Sequence, residues 1–283
     1  MGYVLAQSPA GALLEGALMR MKFGIAIAVA AAVALGSAVP AGAVTDGSPD
    51  NGAHPYVGLM VADDAAGNPM WRCTGTLISP TVFVTAGHCT FGAATATVWF
   101  EENIQGNEAA LGYPFGGSTS HDGAAYTHPQ YQDAAFYLYD LGVVVLDEAV
   151  PMETYGALPT LDQLDALKPR ASTTFTSVGY GLQVSFSNPN PPKYSAVKDR
   201  LVATPHLAQI NRGIVGDYAM ILSNNAKTGG TCFGDSGGPN FLGDSNVVAG
   251  VTSFGLNSSC GGTGGVYRID RADDLTFINS FLD

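Results

Sequence analysis

Gly234-Asp-Ser-Gly-Gly-Pro239 is the most informative stretch of this chain. It lies after every histidine of the sequence, and this order narrows the choice of fold class. A serine hydroxyl is a weak nucleophile until a neighbouring base takes its proton. Glycines around Ser236 let backbone amides approach a developing oxyanion without obstruction by side chains. The hexapeptide therefore predicts a nucleophilic serine. The alternative is a glycine-rich turn that happens to contain a serine.

The same hexapeptide also satisfies G-x-S-x-G, the nucleophile elbow of the α/β-hydrolases. In those enzymes the catalytic histidine follows the serine along the chain. The last histidine here is His206, so a base for Ser236 must come from upstream. The order of residues therefore excludes an α/β-hydrolase.

Short apolar runs separated by turn-rich stretches dominate the chain after residue 54. Examples of runs predicted to be strands are 56–61, 75–78, 82–85, 97–100, 141–146, 173–178, 247–253 and 266–269. Many short strands between Gly-, Pro- and Asn-rich turns favour an all-β barrel or sandwich. A helix is predicted over 272–282, where Leu275, Ile278 and Leu282 recur at helical spacing.

One histidine stands out as the base for the serine. The candidates are His54, His88, His121, His128 and His206. His88 follows the strand-like run 82–86 and is adjacent to Cys89, whereas the other four occupy ordinary turn or strand-edge segments. A general base works best when its backbone holds it in a fixed position, because proton transfer is sensitive to small displacements. We therefore expect His88 to activate Ser236.

A buried carboxylate is expected to hold the imidazole in the correct tautomer and to stabilise its charged form. Asp140 begins the apolar run that ends at Leu146, a place where a carboxylate is partly buried. Asp133 and Asp147 are the alternatives. For Asp140 itself the alternative is a strand-capping role.

The composition indicates a globular protein with a sizeable core. The chain has 283 residues, of which 46% are hydrophobic and 13% charged, and its formal net charge is −12. Such an acidic chain is not expected to bind nucleic acid. Four cysteines suggest disulfides in an oxidising compartment, and they allow three pairings. A zinc site is the alternative, but no close C-x-x-C pair exists, so no metal is predicted.

Residues 1–43 are predicted to be a signal peptide. Arg20 and Lys22 supply positive charge, an apolar run covers 23–39, and Ala41-Gly-Ala43 fits the small-residue cleavage pattern. The run is short for a membrane span, which needs roughly 20 residues. An uncleaved anchor is the alternative.

The region before the charged pair carries no targeting pattern. Met19 or Met21 would begin a more usual signal, so residues 1–18 are interpreted as a start assigned too far upstream. The mature chain, 44–283, is expected to be secreted and extracellular, without stable membrane association.

Together these segments resemble the chymotrypsin-like (trypsin-like) serine peptidases, in their bacterial secreted form. Thr85-Ala-Gly-His-Cys89, Asp140-Leu-Gly-Val-Val-Val-Leu146 and Gly234–Pro239 match the family motifs in the family's His–Asp–Ser order. The resemblance runs from about residue 44 to the end of the chain. It implies an all-β fold of two six-stranded antiparallel β-barrels with a C-terminal helix. The barrels are expected at about 55–150 and 170–270, and the helix at about 272–282.

The resemblance also implies a mechanism and a set of bonds. The catalytic triad would be His88, Asp140 and Ser236, with the amides of Gly234 and Ser236 as the oxyanion hole and Ser253 bonded to Asp140. The reaction would be acyl transfer through an acyl-serine, with no cofactor. The family's cysteine pairs correspond here to Cys73 with Cys89 and Cys232 with Cys260.

In this family a free α-amino group pairs with the acid that precedes the nucleophile, which is Asp235 here. Cleavage of the signal after Ala43 would expose Val44 directly. We therefore expect an ion pair between Val44 and Asp235, formed on export without a separate propeptide.

The family's substrate-binding positions can be carried over residue by residue. They are Gly230, Phe233, Ser253, Phe254, Gly255 and Gly265. Gly230 stands at the pocket floor, where an acidic residue would select Lys or Arg, and Gly255 and Gly265 would leave the walls open. We expect an uncharged, apolar or aromatic residue before the scissile bond (P1).

The expected partners are polypeptide substrates, and the protein is expected to be a monomer. A catalytically silent binding protein on the same scaffold is one alternative, although no triad residue is missing. A narrow processing peptidase is another, which requires that the insertions around 106–125 and 185–198 restrict access; the alternative is that these insertions are idle loops.

Overall fold

The computed structural model describes residues 44–183, 197–257 and 259–282. The predicted signal peptide, 1–43, and most of the insertion at 185–198 lie outside these residues. The strands are β1 Ser48–Pro49, β2 Val57–Asp63, β3 Pro69–Leu77, β4 Val82–Thr85, β5 Thr95–Trp99, β6 His121–Thr127, β7 Gly142–Leu146, β8 Arg170–Gly179, β9 Leu201–Ala203, β10 His206–Ile210, β11 Ala219–Asn224, β12 Pro239–Leu242, β13 Val248–Gly255 and β14 Gly262–Arg268. The α-helices are α1 Gly87–Thr90, α2 Glu108–Leu111 and α3 Ala272–Asn279.

The first half of the described chain forms a closed antiparallel barrel in the order β2-β3-β4-β7-β6-β5. β2 is buried along its whole length, because it pairs with β3 on one side and β5 on the other. Closure leaves no free strand edge, which removes a site for aggregation. The interior is filled by apolar side chains such as Leu59, Phe83 and Val98.

The second half forms another closed barrel in the order β8-β10-β11-β14-β13-β12, closed by the pairing of β8 with β12. β9 and then β1 extend the sheet beyond β8. Phe175, Leu207, Met220 and Val266 pack in its interior. The two barrels confirm the predicted fold.

A buried polar group joins the barrels. Arg200 forms an ion pair with Asp50 (2.9 Å) and donates to the carbonyl of Phe100 (2.9 Å). The hydroxyl of Tyr180 donates to the carbonyls of Val57 (3.2 Å) and Glu101 (2.9 Å). Buried charges need such partners, since an isolated charge in a protein interior is costly.

The bounds differ in detail from those predicted. β4 was predicted to the residue, whereas the terminal helix ends at Asn279 and not at Leu282. The runs named above include no counterpart of β1, β6, β9, β10, β11 or β12. Among the described residues, no helix is long and apolar enough to cross a membrane.

Candidate active site

Helix α1 carries His88 and lies against the start of β7. Nδ1 of His88 is 3.0 Å from Oδ2 of Asp140, and the backbone amide of His88 donates to Oδ1 at 2.8 Å. Gly87 permits this approach, because a Cβ there would lie 3.0 Å from the backbone nitrogen of Leu141 and 2.9 Å from Cδ2 of Tyr131. The Thr85–Cys89 motif therefore places the imidazole on the carboxylate through both side chain and main chain.

Asp140 is completely buried. Its carboxylate accepts hydrogen bonds from His88 and from the hydroxyl of Ser253, at 2.5 Å. These donors compensate for the loss of water around the charge. The rival acids, Asp133 and Asp147, are exposed, and neither has a described hydrogen bond to His88.

The charge of Asp140 controls the basicity of His88. Burial lowers the pKa of the imidazole, but the charge of Asp140 and its hydrogen bond raise it, and the net effect is a raised pKa. The side chain remains 26% exposed. Because Nδ1 faces Asp140, Nε2 is left for a second proton partner.

Ser236 lies on the loop before β12, in contact with both barrels. The amide of Thr74 in β3 donates to the carbonyl of Ser236, and the amide of Gly237 donates to the carbonyl of Thr252 in β13, both at 2.8 Å. Gly237 has φ of +77°, and a Cβ there would lie 2.0 Å from Oγ1 of Thr85. Only glycine fits this position, which explains the first glycine after the serine.

The backbone before Ser236 leaves two amides free. The carbonyl of Phe233 accepts from the amide of Leu182 at 2.8 Å, and Gly234 has φ of +97°. In the described part of the chain, the amides of Gly234 and Ser236 donate to no protein group. Unpaired amides beside a nucleophile are what an oxyanion hole requires.

Asp235 is also completely buried, and it accepts from the amides of Cys232 and Gly181, each at 2.8 Å. Burial raises its pKa to about 7, although both amides and the more distant charge of Arg72 lower it. Gly179 and Gly181 make room for the carboxylate, because a Cβ there would lie 2.1 and 2.5 Å from its atoms. These glycines were not predicted as part of the site, although they form a Gly-Tyr-Gly repeat at the end of β8.

The segment that follows the predicted cleavage point packs against the second barrel. Thr45 pairs with Gly230, and its hydroxyl donates to Asn224 at 2.6 Å. Val44 is completely buried against Leu201 and Ala203.

A cavity of about 500 Å³ opens beside Ser236. It is lined by His88, Tyr131, Asp133, Phe136, Thr231, Cys232, Phe233, Ser236, Thr252, Ser253, Phe254, Gly255 and Cys260. Phe233 and Phe136 are 56% and 42% exposed, so aromatic surface meets solvent at its mouth. The hydroxyl of Tyr131 is buried and has no protein partner among the described residues, and burial raises its pKa.

Two of the carried-over pocket positions are absent from this lining. Gly230 packs against Asn224, whose Cγ would lie 2.3 Å from an added Cβ, and Gly265 lies under the ring of Phe254. Phe233, Ser253, Phe254 and Gly255 do line the cavity. At both absent positions an added Cβ would meet a packed side chain, so these glycines have a packing role whatever their relation to a substrate.

The two disulfides flank the site. Cys73 is bonded to Cys89 next to His88, and Cys232 to Cys260 beside the cavity. Cys73, Cys89 and His88 bring their potential ligand atoms within 4.8 Å of one another. The disulfide occupies both sulfurs, so they offer no thiolate to a metal.

Comparison with known proteins gives one consistent result. A family model described as Trypsin matches residues 45–274. A trypsin of Saccharopolyspora erythraea is 29% identical over 222 residues, 76% of this chain and 87% of that protein. A brachyurin of Leptuca pugilator is 29% identical over 238 residues, 81% of this chain and 90% of that protein. The solved structure of HL collagenase aligns with a TM-score of 0.62 at 20% identity, covering 81% of this chain and 94% of that one.

Proposed function

The chain belongs to the trypsin family and is a serine endopeptidase, and from this premise we propose that His88, Asp140 and Ser236 cleave polypeptides after uncharged apolar or aromatic residues. The observation that carries the proposal is the pairing of His88 with a buried Asp140 at the edge of the cavity that Ser236 also lines. The arrangement provides a nucleophile, a base and a fixed tautomer.

The reaction proceeds in two halves. The Ser236 hydroxyl attacks the carbonyl carbon of the scissile bond while Nε2 of His88 takes its proton, and the amides of Gly234 and Ser236 bind the oxyanion. The imidazolium then protonates the departing amine, which leaves an acyl-serine. Water attacks this ester, giving one proton to His88, and collapse returns the proton to Ser236 and releases the acid. Asp140 remains ionised throughout.

The lining of the cavity supports the preference for an uncharged residue. Thr231, Thr252 and the Cys232–Cys260 disulfide are neutral, and the rings of Phe233 and Phe254 are apolar. Its one carboxylate, Asp133, is exposed. A positively charged side chain inside the cavity would lose its hydration without gaining a buried counter-ion.

The position of Val44 supports an ion pair between its free amine and Asp235. Val44 has φ of +62°. For a β-branched residue this conformation is strained, because Cβ crowds the preceding carbonyl. Cleavage before Val44 would remove that carbonyl, so the strain would disappear with the peptide bond. The released amine would meet a carboxylate whose burial otherwise opposes its charge.

The proposal also includes the location and the assembly of the protein: the mature protein is secreted and acts as a monomer. Two disulfides fit an oxidising compartment. N-terminal sequencing of protein from the culture medium should give Val44 as the first residue, and sedimentation should give the monomer mass. A different start would overturn the proposed ion pair.

The experiment that tests the activity combines labelling with a peptide series. A fluorophosphonate should label the wild type and the Ser245→Ala control, whose mutated serine is exposed and does not line the cavity, but not Ser236→Ala. Among peptides that differ only at P1, those with Phe or Leu should be cleaved faster than the one with Arg. A folded protein without adduct would favour the silent binding protein, and faster cleavage after Arg would refute the proposed preference.

A further inference from the structure

Arg72 lies beside the proposed oxyanion hole but outside the cavity. It belongs to β3 and immediately precedes Cys73. Its Nη2 and Nε atoms are 3.3 and 3.5 Å from the point that a Cβ on Gly234 would occupy. The guanidinium group therefore lies against the backbone next to Ser236, and Arg72 is not part of the lining of the cavity.

The hydroxyl of Tyr113 also interacts with the guanidinium group. Burial raises the pKa of Tyr113, whereas the charge and hydrogen bonding of Arg72 lower it, which shows that the two groups interact. Arg72 thus interacts with Tyr113 and lies close to Gly234, in a half-buried position on a strand. A cation fixed in this way loses little side-chain entropy when it binds an anion.

No carboxylate neutralises this cation within the described chain. Arg200, Arg268 and Arg271 each form an ion pair with an aspartate, but no ion pair includes Arg72. Asp235 is close enough to feel its charge, yet Asp235 is completely buried and already accepts two amides. An unpaired arginine beside the nucleophile is notable in a chain with a net charge of −12.

The direction of a bound peptide places Arg72 after the scissile bond. If the P1 side chain enters the cavity and Ser236 attacks the next carbonyl, the leaving half of the peptide continues away from the cavity. Arg72 precedes Cys73, whose disulfide to Cys89 adjoins His88, the group that protonates the leaving amine, so Arg72 is expected on that side. Side chains of an extended peptide alternate between faces, so the second residue after the bond (P2′) faces the enzyme as P1 does.

We infer that Arg72 selects an acidic residue at P2′, a preference that rests on the proposed peptidase activity. The guanidinium group offers a planar pair of donors that match a carboxylate. For a half-exposed pair we expect kcat/KM to be about tenfold higher with Glu than with Gln at P2′. Salt should reduce this ratio, since exposed charges are screened.

The test uses internally quenched peptides that share the best P1 residue and carry Glu, Gln or Lys at P2′. The wild type and the Arg212→Gln control, which removes an exposed arginine of the second barrel, should both prefer Glu about tenfold. Arg72→Gln should bring the Glu-to-Gln ratio close to one, and Arg72→Glu should make Lys the preferred residue. Each ratio is measured within one variant, so partial loss of folding cancels.

The outcomes separate this inference from the proposed function. Cleavage that requires Ser236 but shows equal rates for Glu and Gln would overturn the role of Arg72 and leave the peptidase intact. Retention of the Glu preference in Arg72→Gln would overturn it as well. If no peptide is cleaved by the wild type, the proposed function itself fails.

Discussion

Ser253 of the second barrel donates its hydroxyl to Asp140, the carboxylate that also binds His88 of the first barrel. The acid between them has no exposed surface. Both barrels therefore contribute to fixing one imidazole. Because each donor stabilises the ionised carboxylate, the basicity of His88 depends on Ser253 as well as on Asp140.

Replacement of Asp140 by asparagine should remove the charge but keep the shape. We expect kcat to fall by about 10³- to 10⁴-fold, because the amide favours the wrong imidazole tautomer. The charge of Asp140 raises the pKa of His88, so its loss should move the acid limb of kcat/KM to lower pH. A pH profile measures both effects. Asp147→Asn, at an exposed position, is the control, and an unmoved acid limb would contradict the assignment.

Ser253→Ala should shift the acid limb of the kcat/KM profile to higher pH. Without this donor the Asp140 carboxylate is less stabilised, binds the imidazolium more strongly and raises the pKa of His88 further. Loss of one buried hydrogen bond should lower kcat/KM about fivefold. Ser253→Thr keeps a hydroxyl and should restore the wild-type profile. A shift to lower pH in Ser253→Ala would show that Ser253 does not act through Asp140.

The all-β class could be predicted and candidates for the triad could be named because their signals are local or depend on order, whereas the two barrels followed from the resemblance of the motifs to a known family. The hexapeptide around Ser236 and the motif around His88 are contiguous, and strands such as β4 are continuous runs of β-branched and aromatic residues. β6 was missed because His121-Asp-Gly-Ala-Ala-Tyr-Thr127 is weak in such residues, and only its neighbours β5 and β7 make it a strand.

The surroundings of the site could not be predicted, since they depend on contacts between distant segments. Gly179 and Gly181 are required only because Asp235 folds back against them. Gly230 was expected at a pocket floor, but its surroundings are set by the side chain of Asn224 and by Thr45, which lies 185 residues away in sequence. Spacing within a motif carries no information on such contacts.

The buried pair of Asp50 and Arg200 should be important for stability. Asp50→Asn leaves a buried guanidinium uncompensated and is expected to lower the free energy of unfolding by about 3–5 kcal/mol. Burial raises the pKa of Asp50, but hydrogen bonds from His54 and Arg200 and the charge of Arg200 lower it below its usual value. Its contribution is therefore present above about pH 4 and is lost as the pH falls through the lower folded pKa.

Urea unfolding of the wild type and of Asp50→Asn, at pH 7 and near pH 3, measures the contribution of the Asp50–Arg200 pair to stability. The difference in the free energy of unfolding between the wild type and Asp50→Asn should be smaller near pH 3 than at pH 7. Glu108→Gln breaks the partly exposed pair with Lys198 and should cost no more than about 1 kcal/mol. Equal losses for the two variants at pH 7 would contradict the special role of the buried pair.

The last prediction concerns the amine of Val44. Two forms should be prepared, one beginning at Val44 and one retaining Ala43 in front of it. In the longer form burial keeps the pKa of Asp235 at about 7, well above the unfolded value of about 3.9. The folded state then holds the extra proton, so the free energy of unfolding falls as the pH rises from about 4 to 7.

In the form that begins at Val44, the ammonium group pairs with ionised Asp235. The free energy of unfolding of this form should therefore change little between about pH 4 and 7. The ion pair contributes below the unfolded amine pKa of about 7.7–8 and is lost above the raised folded value. The shorter form should therefore be more stable near pH 7.5, with the difference shrinking towards pH 4.5 and again at high pH. Asp235→Asn removes the carboxylate from both forms and should abolish the difference. Thermal unfolding that is identical for the two forms at every pH would show that Val44 has no such partner.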